Sequence, residues 1–203
     1  LADTARWLRI RGRAMQAAVP VGQGAMAALL GLSFDQAEAV AAEAAQGEVC
    51  QVANQNDPAQ NVVSGSKAAV ERAIDLAKAA GAKRALLLPV SAPFHCALMA
   101  PAAEEMAGAL ADVTLNAPAV PVVANVVAEA VTDPEQIRKL LIEQVTGQVR
   151  WMSSVEWMGA QGVTEVWEIG AGKALSGMIR RINKEITCVN IGTAADAAAV
   201  KTA

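Results

Sequence analysis

GAMAALLGLSFDQAEAVAAEAAQGEVCQVANQNDPAQNVVSGSKAAVERAIDLAKAAGAKRALLLPV, residues 24–90, is the most regularly patterned stretch of the chain. Ala25 to Leu32 is a short apolar run of strand length, and Ser33 stands where a helix N-cap is wanted, opening a helix to about Ala45. Val49 to Ala53 reads as a second strand. The polar run Asn54–Gln60, with Pro58 inside it, reads as a loop, and Asn61 to Ser64 as a third strand. Ser66 then caps a helix to about Ala80, Gly81 ends it, and Arg84 to Val90 forms the last strand. The order β-α-β-β-α-β is that of the split βαβ, or ferredoxin-like, arrangement.

On either side of this block the rhythm differs. Upstream, Asp3 or Thr4 can cap a first helix to about Val19, carrying Arg6, Arg9, Arg11 and Arg13, before Pro20 and Gly22 stop it. Downstream, Ser91–His95 is a Pro-containing loop, Ala97 to about Ala111 a helix, and Val120 to Val127 a strand or strand pair. Asp133 and Pro134 open a helix to about Val145, and Arg150 to Ala160 forms another. Val163–Ile169, Lys173–Asn183, Thr187–Ile191 and Ala194 to about Val200 continue as strand, helix, strand, helix, which implies parallel pairing in an α/β layer. Residues 23–90 therefore read as a small subdomain inserted between residues 1–22 and 91–203 of a larger α/β one.

Composition narrows what such a chain can do. Of 203 residues 54% are hydrophobic and 18% charged, which supplies a core and rules out disorder as the dominant state. No uninterrupted apolar run approaches the length of a membrane span. A net charge of −3 offers no general attraction to nucleic acid or anionic lipid, so neither is an expected partner. Cys50, Cys96 and Cys188 are widely spaced and odd in number, which points to buried thiols in a reducing compartment. The chain starts at Leu1 without methionine, close to a helix signal, and reads as a fragment. With one histidine, a multi-histidine metal site is impossible, and any imidazole chemistry belongs to His95.

His95 lies in Ser91-Ala92-Pro93-Phe94-His95-Cys96, a strand-to-helix loop of the kind that puts a general base at the mouth of a sheet. The residue types alone leave open a histidine that caps the next helix or fills a half-buried gap, the commoner outcome. Adjacent residues point apart, so Cys96 does not pair with His95 as a thiolate dyad. The G-x-S-x-G nucleophile turn is missing: Ser66 reads as a cap and Ser176 lies within a helix. Gly170-Ala171-Gly172-Lys173 lacks the spacing of a phosphate loop. Arg11 can grip an anion through its guanidinium fork, or be part of a solvated basic face. Asn54, Gln55, Asn56 and Gln60 offer uncharged hydrogen bonds.

Taken together, several segments resemble the malonyl-CoA:acyl carrier protein transacylases, the acyltransferases of bacterial fatty acid synthesis. They are Arg11-Gly12-Arg13-Ala14-Met15-Gln16, Gly24-Ala25-Met26-Ala27-Ala28, Asn54-Gln55-Asn56-Asp57-Pro58-Ala59-Gln60 and Gly81-Ala82-Lys83-Arg84-Ala85. Most specific is Leu88-Pro89-Val90-Ser91-Ala92-Pro93-Phe94-His95-Cys96-Ala97-Leu98-Met99, followed by Val149-Arg150-Trp151 and Glu168-Ile169-Gly170-Ala171-Gly172-Lys173-Ala174-Leu175. The resemblance is collinear along essentially the whole chain. It implies an α/β-hydrolase-like large subdomain with an inserted ferredoxin-like small one. The family's Gly-Gln-Gly oxyanion segment and Gly-His-Ser-Leu-Gly nucleophile turn are expected before Leu1.

By the same resemblance, His95 is the catalytic base, Arg11 the partner of the malonyl carboxylate, and a backbone carbonyl at Arg150 the group that orients His95. Asn54 and Phe94 line the acyl site, and the ring of Phe94 would favour malonyl over methylmalonyl. The implied reaction moves malonyl from malonyl-CoA to the phosphopantetheine thiol of acyl carrier protein through a serine outside these residues, in the cytoplasm, with no metal or nucleotide cofactor. Acidic carrier protein is expected at Lys173, Arg180, Arg181 and Lys184, or at Lys83 and Arg84. A polyketide synthase acyltransferase domain and a non-catalytic carrier-binding module are the competing implications.

Overall fold

The computed structural model describes residues 2–200. The first helix, α1 (Ala2–Ala17), contains Asp3 rather than being capped by it and stops one turn before Pro20. The block that follows forms a four-stranded antiparallel sheet of β1 (Gly24–Leu30), β2 (Cys50–Asp57), β3 (Gln60–Ser66) and β4 (Arg84–Leu87) in the order β2-β3-β1-β4. Helices α2 (Phe34–Ala45) and α3 (Lys67–Ala79) connect its strands in β-α-β-β-α-β order.

Local chemistry accounts for these elements. Ser33 accepts a hydrogen bond from the Gln36 amide and Gln36 returns one to the Ser33 amide, a reciprocal cap at the start of α2. Ser66 occupies the N-cap position of α3, but its side chain makes no capping bond, contrary to its expected role. Ala37, Ala41, Ala44, Ala69, Ala73 and Ala77 face inward from the two helices and, with Val40 and Val70 of the same helices, pack on Leu29 and Val63 of the sheet. Gly65 is obligatory in β3, because a Cβ there would stand 1.9 Å from the Val49 carbonyl oxygen.

Two expectations change in this layer. The polar run Asn54–Asp57 is strand, not loop; only Pro58 and Ala59 turn, and Asp57 accepts the Ala59 amide to close that hairpin. Polar side chains are tolerated because β2 is an edge strand with two register shifts, and Gln55 and Asp57 find partners on helices beyond the sheet. At the other edge β4 ends at Leu87 rather than Val90, since Pro89 cannot donate to the ladder.

Beyond β4 a 3₁₀ turn at Ala97–Met99 leads into α4 (Ala100–Ala111), which packs on α1 through Met15, Met99, Ala102, Met106 and Leu110. β5 (Val122–Ala124) and β6 (Glu129–Val131) form an antiparallel hairpin. Asp133 caps α5 (Pro134–Glu143), as its Asp-Pro start suggested. Then come α6 (Trp151–Ala160), β7 (Glu165–Ile169), α7 (Ala174–Ile182), β8 (Thr187–Ile191) and α8 (Ala194–Ala199). Parallel pairing occurs between β7 and β8, while the expected strand at 120–127 belongs to the hairpin instead. The chain is an α/β fold with separate antiparallel and parallel sheets. Among the described residues no helix is long and apolar enough to cross a membrane.

Candidate functional site

The loop between β4 and α4 carries His95 with φ +59°, a left-handed backbone that disfavours any residue with a Cβ. Its neighbours over-determine that shape. The Pro93 ring lies over Gly24 at the start of β1, where a Cβ would come within 2.3 Å of the ring. Buried Cys96 donates its S–H to the Pro93 carbonyl at 3.1 Å, and the Gln51 side chain accepts the Ala97 amide at 2.7 Å. The small sheet therefore clamps the histidine loop at both ends.

The imidazole is fixed through one nitrogen. His95 Nδ1 lies 3.1 Å from the Gln144 carbonyl oxygen and 3.0 Å from that of Gly147. Both partners can only accept, so Nδ1 carries the proton and Nε2 keeps a lone pair, the state a general base requires. Burial lowers the basicity of the ring; the Gln144 carbonyl partly restores it, the nearby Arg11 cation lowers it, and the Gly147 carbonyl raises it.

Arg150, expected to orient His95, does not. Its carbonyl accepts the Ser154 amide at 3.0 Å and the Ser154 hydroxyl at 2.8 Å, because Arg150 is the N-cap residue of α6 and its oxygen belongs to that helix. The acceptors come instead from Gln144, the C-cap of α5, where carbonyls lack intrahelical donors, and from Gly147 in the turn beyond it. Gln144 Nε2 also donates to the Gly147 oxygen at 2.9 Å, bracing the turn. Segment 147–149 is tied to β2: the Gln55 amide donates to the Val149 carbonyl at 2.9 Å, the Val149 amide to Ala53 at 2.8 Å, and Gln148 Nε2 to Val52 at 3.1 Å. Gln144 and Gly147 were missed from the sequence; a helix ending just before Thr146-Gly147 was the available signal.

The structure brings four expected residues to one cleft of about 420 Å³: Arg11 from α1, Asn54 from β2, and Phe94 and His95 from the loop, with Met26 and Leu88 as apolar floor. Arg11 is half-buried, which lowers its pKa through desolvation, and among the described residues no carboxylate pairs with it. Phe94 packs against both the α1/α4 cluster and the Met26–Val62 cluster. Cys96 is no nucleophile: burial pushes its thiol pKa up. Burial likewise raises the Cys50 thiol, to about 11. All three cysteines are free. Among the described residues no serine hydroxyl hydrogen-bonds to His95, and no three His, Cys, Asp or Glu side chains gather as a metal set.

The glycine turn after β7 is not an open phosphate site. Glu168 accepts the Leu175 amide at 3.0 Å, the Ser176 amide at 2.8 Å and the Ser176 hydroxyl at 2.5 Å, filling the start of α7 with the chain's own carboxylate. Ser176 Oγ further accepts from Asn190 Nδ2 at 2.7 Å, so this serine is structural.

A cleft joining an oriented neutral imidazole to a carboxylate-free arginine suits acyl chemistry, and comparison with known proteins decides the relationship. The model of the acyl transferase domain family matches residues 1–140. The chain belongs to that family. Over 186 residues it is 50% identical to the malonyl CoA-acyl carrier protein transacylase of Escherichia coli strain K12, covering 92% of this chain and 60% of that protein. The crystal structure of acyl-carrier-protein-S-malonyltransferase from Bartonella henselae superposes with a TM-score of 0.93 at 54% identity, covering 97% of this chain and 63% of that one. A malonyl-transacylase in complex with its type II PKS acyl-carrier protein superposes with a TM-score of 0.91 at 43% identity, covering 94% of this chain and 62% of that one. The chain thus spans about 60% of the length of the curated acyltransferase relatives it matches.

Proposed function

We propose that this chain is the base- and carboxylate-binding part of an acyltransferase that moves malonyl from malonyl-CoA to the phosphopantetheine thiol of acyl carrier protein. The observation that carries the reading is the cleft itself. His95 presents Nε2 with Nδ1 held by two carbonyls, and Arg11 faces the same space without a carboxylate of its own.

In this reading a serine contributed from outside residues 1–203 attacks the thioester carbonyl while His95 Nε2 takes its proton. His95 returns that proton to the leaving CoA thiolate, leaving a malonyl-serine ester. The base then takes the proton of the carrier thiol, whose sulfur attacks the ester, and gives it back to the serine oxygen as malonyl departs. Arg11 forks the free malonyl carboxylate, and Asn54 lines the acyl site. Phe94 crowds an α-methyl group, a selectivity of roughly 1–3 kcal/mol for malonyl over methylmalonyl. No metal or nucleotide cofactor enters these steps.

The same reading makes residues 23–90 a ferredoxin-like small subdomain, whose β2-β3-β1-β4 order fits, and residues 1–22 with 91–203 part of an α/β-hydrolase-like large one. Exposed Arg180, Lys184 and Lys173 of the α7 region are offered to acidic carrier protein; Arg181 is less available, because it pairs with Asp57 at 2.8 Å. Lys83 and Arg84 form the second candidate patch. Free thiols fit a reducing cytoplasm. The 203-residue chain alone should release no CoA. In the intact enzyme, His95→Ala should reduce the burst of CoA release from malonyl-CoA by about 10²–10⁴-fold in rapid-quench experiments. An undiminished burst refutes the role of His95.

A further inference from the structure

Arg11 and His95 reach one cleft from different elements, and among the described residues no carboxylate neutralises the arginine. Around the imidazole, α1 contributes the Arg11 cation, β1 Met26, β2 the uncharged Asn54, and the loop Phe94 and the neutral Cys96 thiol. The segment after α5 contributes only carbonyls and the Gln144 amide, and the acidic side chain next to it, Glu143, is engaged 3.6 Å from Lys139. Arg11 is therefore the one uncompensated charge facing His95 among the described residues, and both groups are partly withdrawn from water.

Taking a proton at Nε2 turns His95 into a second cation beside the first. In a half-buried site that repulsion is felt more than in water. A carboxylate seated on Arg11 cancels the first charge and adds a negative group near the second.

We infer that Arg11 acts on the acyl group twice, as the carboxylate's partner and, through space, as a restraint on proton uptake by His95 that a seated carboxylate releases. This rests on the assignment of Arg11 and His95 made above. The consequence is selection at the proton-transfer step as well as in binding: an acyl group without a carboxylate leaves the base restrained. Arg11 is in this second role a positioning charge, not a reacting group.

The ring Cε1–H resonance of His95 in the intact enzyme, assigned by its absence from the spectrum of His95→Ala, reads this directly. Proton NMR titrations of the intact enzyme are compared for the wild type, Arg11→Met and Arg11→Lys, with Arg11→Gln as the second neutral variant should the methionine variant fail to fold. Removal of the charge should raise the His95 midpoint by roughly half to one pH unit, whereas lysine should hold it near the wild-type value. Malonamate, which carries one carboxylate, should raise the wild-type midpoint; uncharged malonamide should not, and neither should move it in Arg11→Met. An unchanged midpoint in both neutral variants overturns the restraint. Saturable malonamate binding to Arg11, followed through its Nε–H, without movement of His95 overturns the release. Failure of malonamate to bind the wild type refutes the carboxylate assignment itself and the release with it, while the variant titrations still judge the restraint.

Discussion

The four-stranded sheet of residues 24–87 and the two-stranded sheet of β7 and β8 hold themselves together by different means. In the first, two alanine-lined helices seal one face of the sheet around Leu29, Val40, Val63 and Val70. In the second, the buried apolar set is Val155, Ile179 and Ile186, while Trp167 and Ile169 stand exposed on β7. What organises that end is polar: Glu168 gathers the start of α7, Ser176 and Asn190. The difference teaches that regular apolar patterning makes a layer self-sufficient within one stretch of chain, whereas the β7–β8 pair is tied to α7 by specific hydrogen bonds.

The comparison breaks most sharply at Leu29. Leu29→Ala should cost about 2–5 kcal/mol in urea unfolding, because the surrounding alanines cannot reach into the cavity. A loss below about 1 kcal/mol would mean that the sheet is not the more self-sufficient layer. Next comes the link between the two, the ion pair of buried Asp57 on β2 with Arg181 on α7. Arg181→Ala leaves that carboxylate without its charged partner, an expected loss of about 1–2 kcal/mol by the same measurement.

Glu168→Gln should act locally, speeding hydrogen exchange at the Leu175 and Ser176 amides while the amides of β1 and β3 keep their protection. Its pH dependence has a definite sign. The Ser176 hydroxyl, then the Ser176 amide, holds the Glu168 carboxyl below its ordinary pKa. Its contribution is thus present above the unfolded-state pKa and lost as pH falls through the depressed one. Melting temperatures of wild type and Glu168→Gln should differ at neutral pH and converge in acid. His95 loses its contribution earlier on acidification: burial lowers its pKa, so stability declines as pH drops below the ordinary histidine value of 6.5.

Much of the fold was legible in local signals. Ser33, and Asp133 with Pro134, opened helices where their capping chemistry said they would. The strand order could not be read that way, and the reading of Asn54–Asp57 as loop failed because its partners, Val149, Ser153 and Arg181, lie some hundred residues away in sequence. Of the site, His95, Arg11, Asn54 and Phe94 were named in advance and share the cleft. The orienting acceptor was misplaced at Arg150 because a backbone carbonyl carries no residue identity; only the three-dimensional course of the chain shows that Gln144 and Gly147 are free to accept.

By itself the sequence determined most of the elements, the caps at Ser33 and Asp133, the alanine-rich core and the fact that imidazole chemistry in these residues rests on His95, since each follows from side-chain type and spacing. Only the tertiary structure decided which nitrogen of His95 carries the proton, which carbonyls hold it, and that an uncompensated arginine faces it. Those properties depend on distances between segments remote in sequence, and hydrogen bonds and Coulomb forces act across space rather than along the chain.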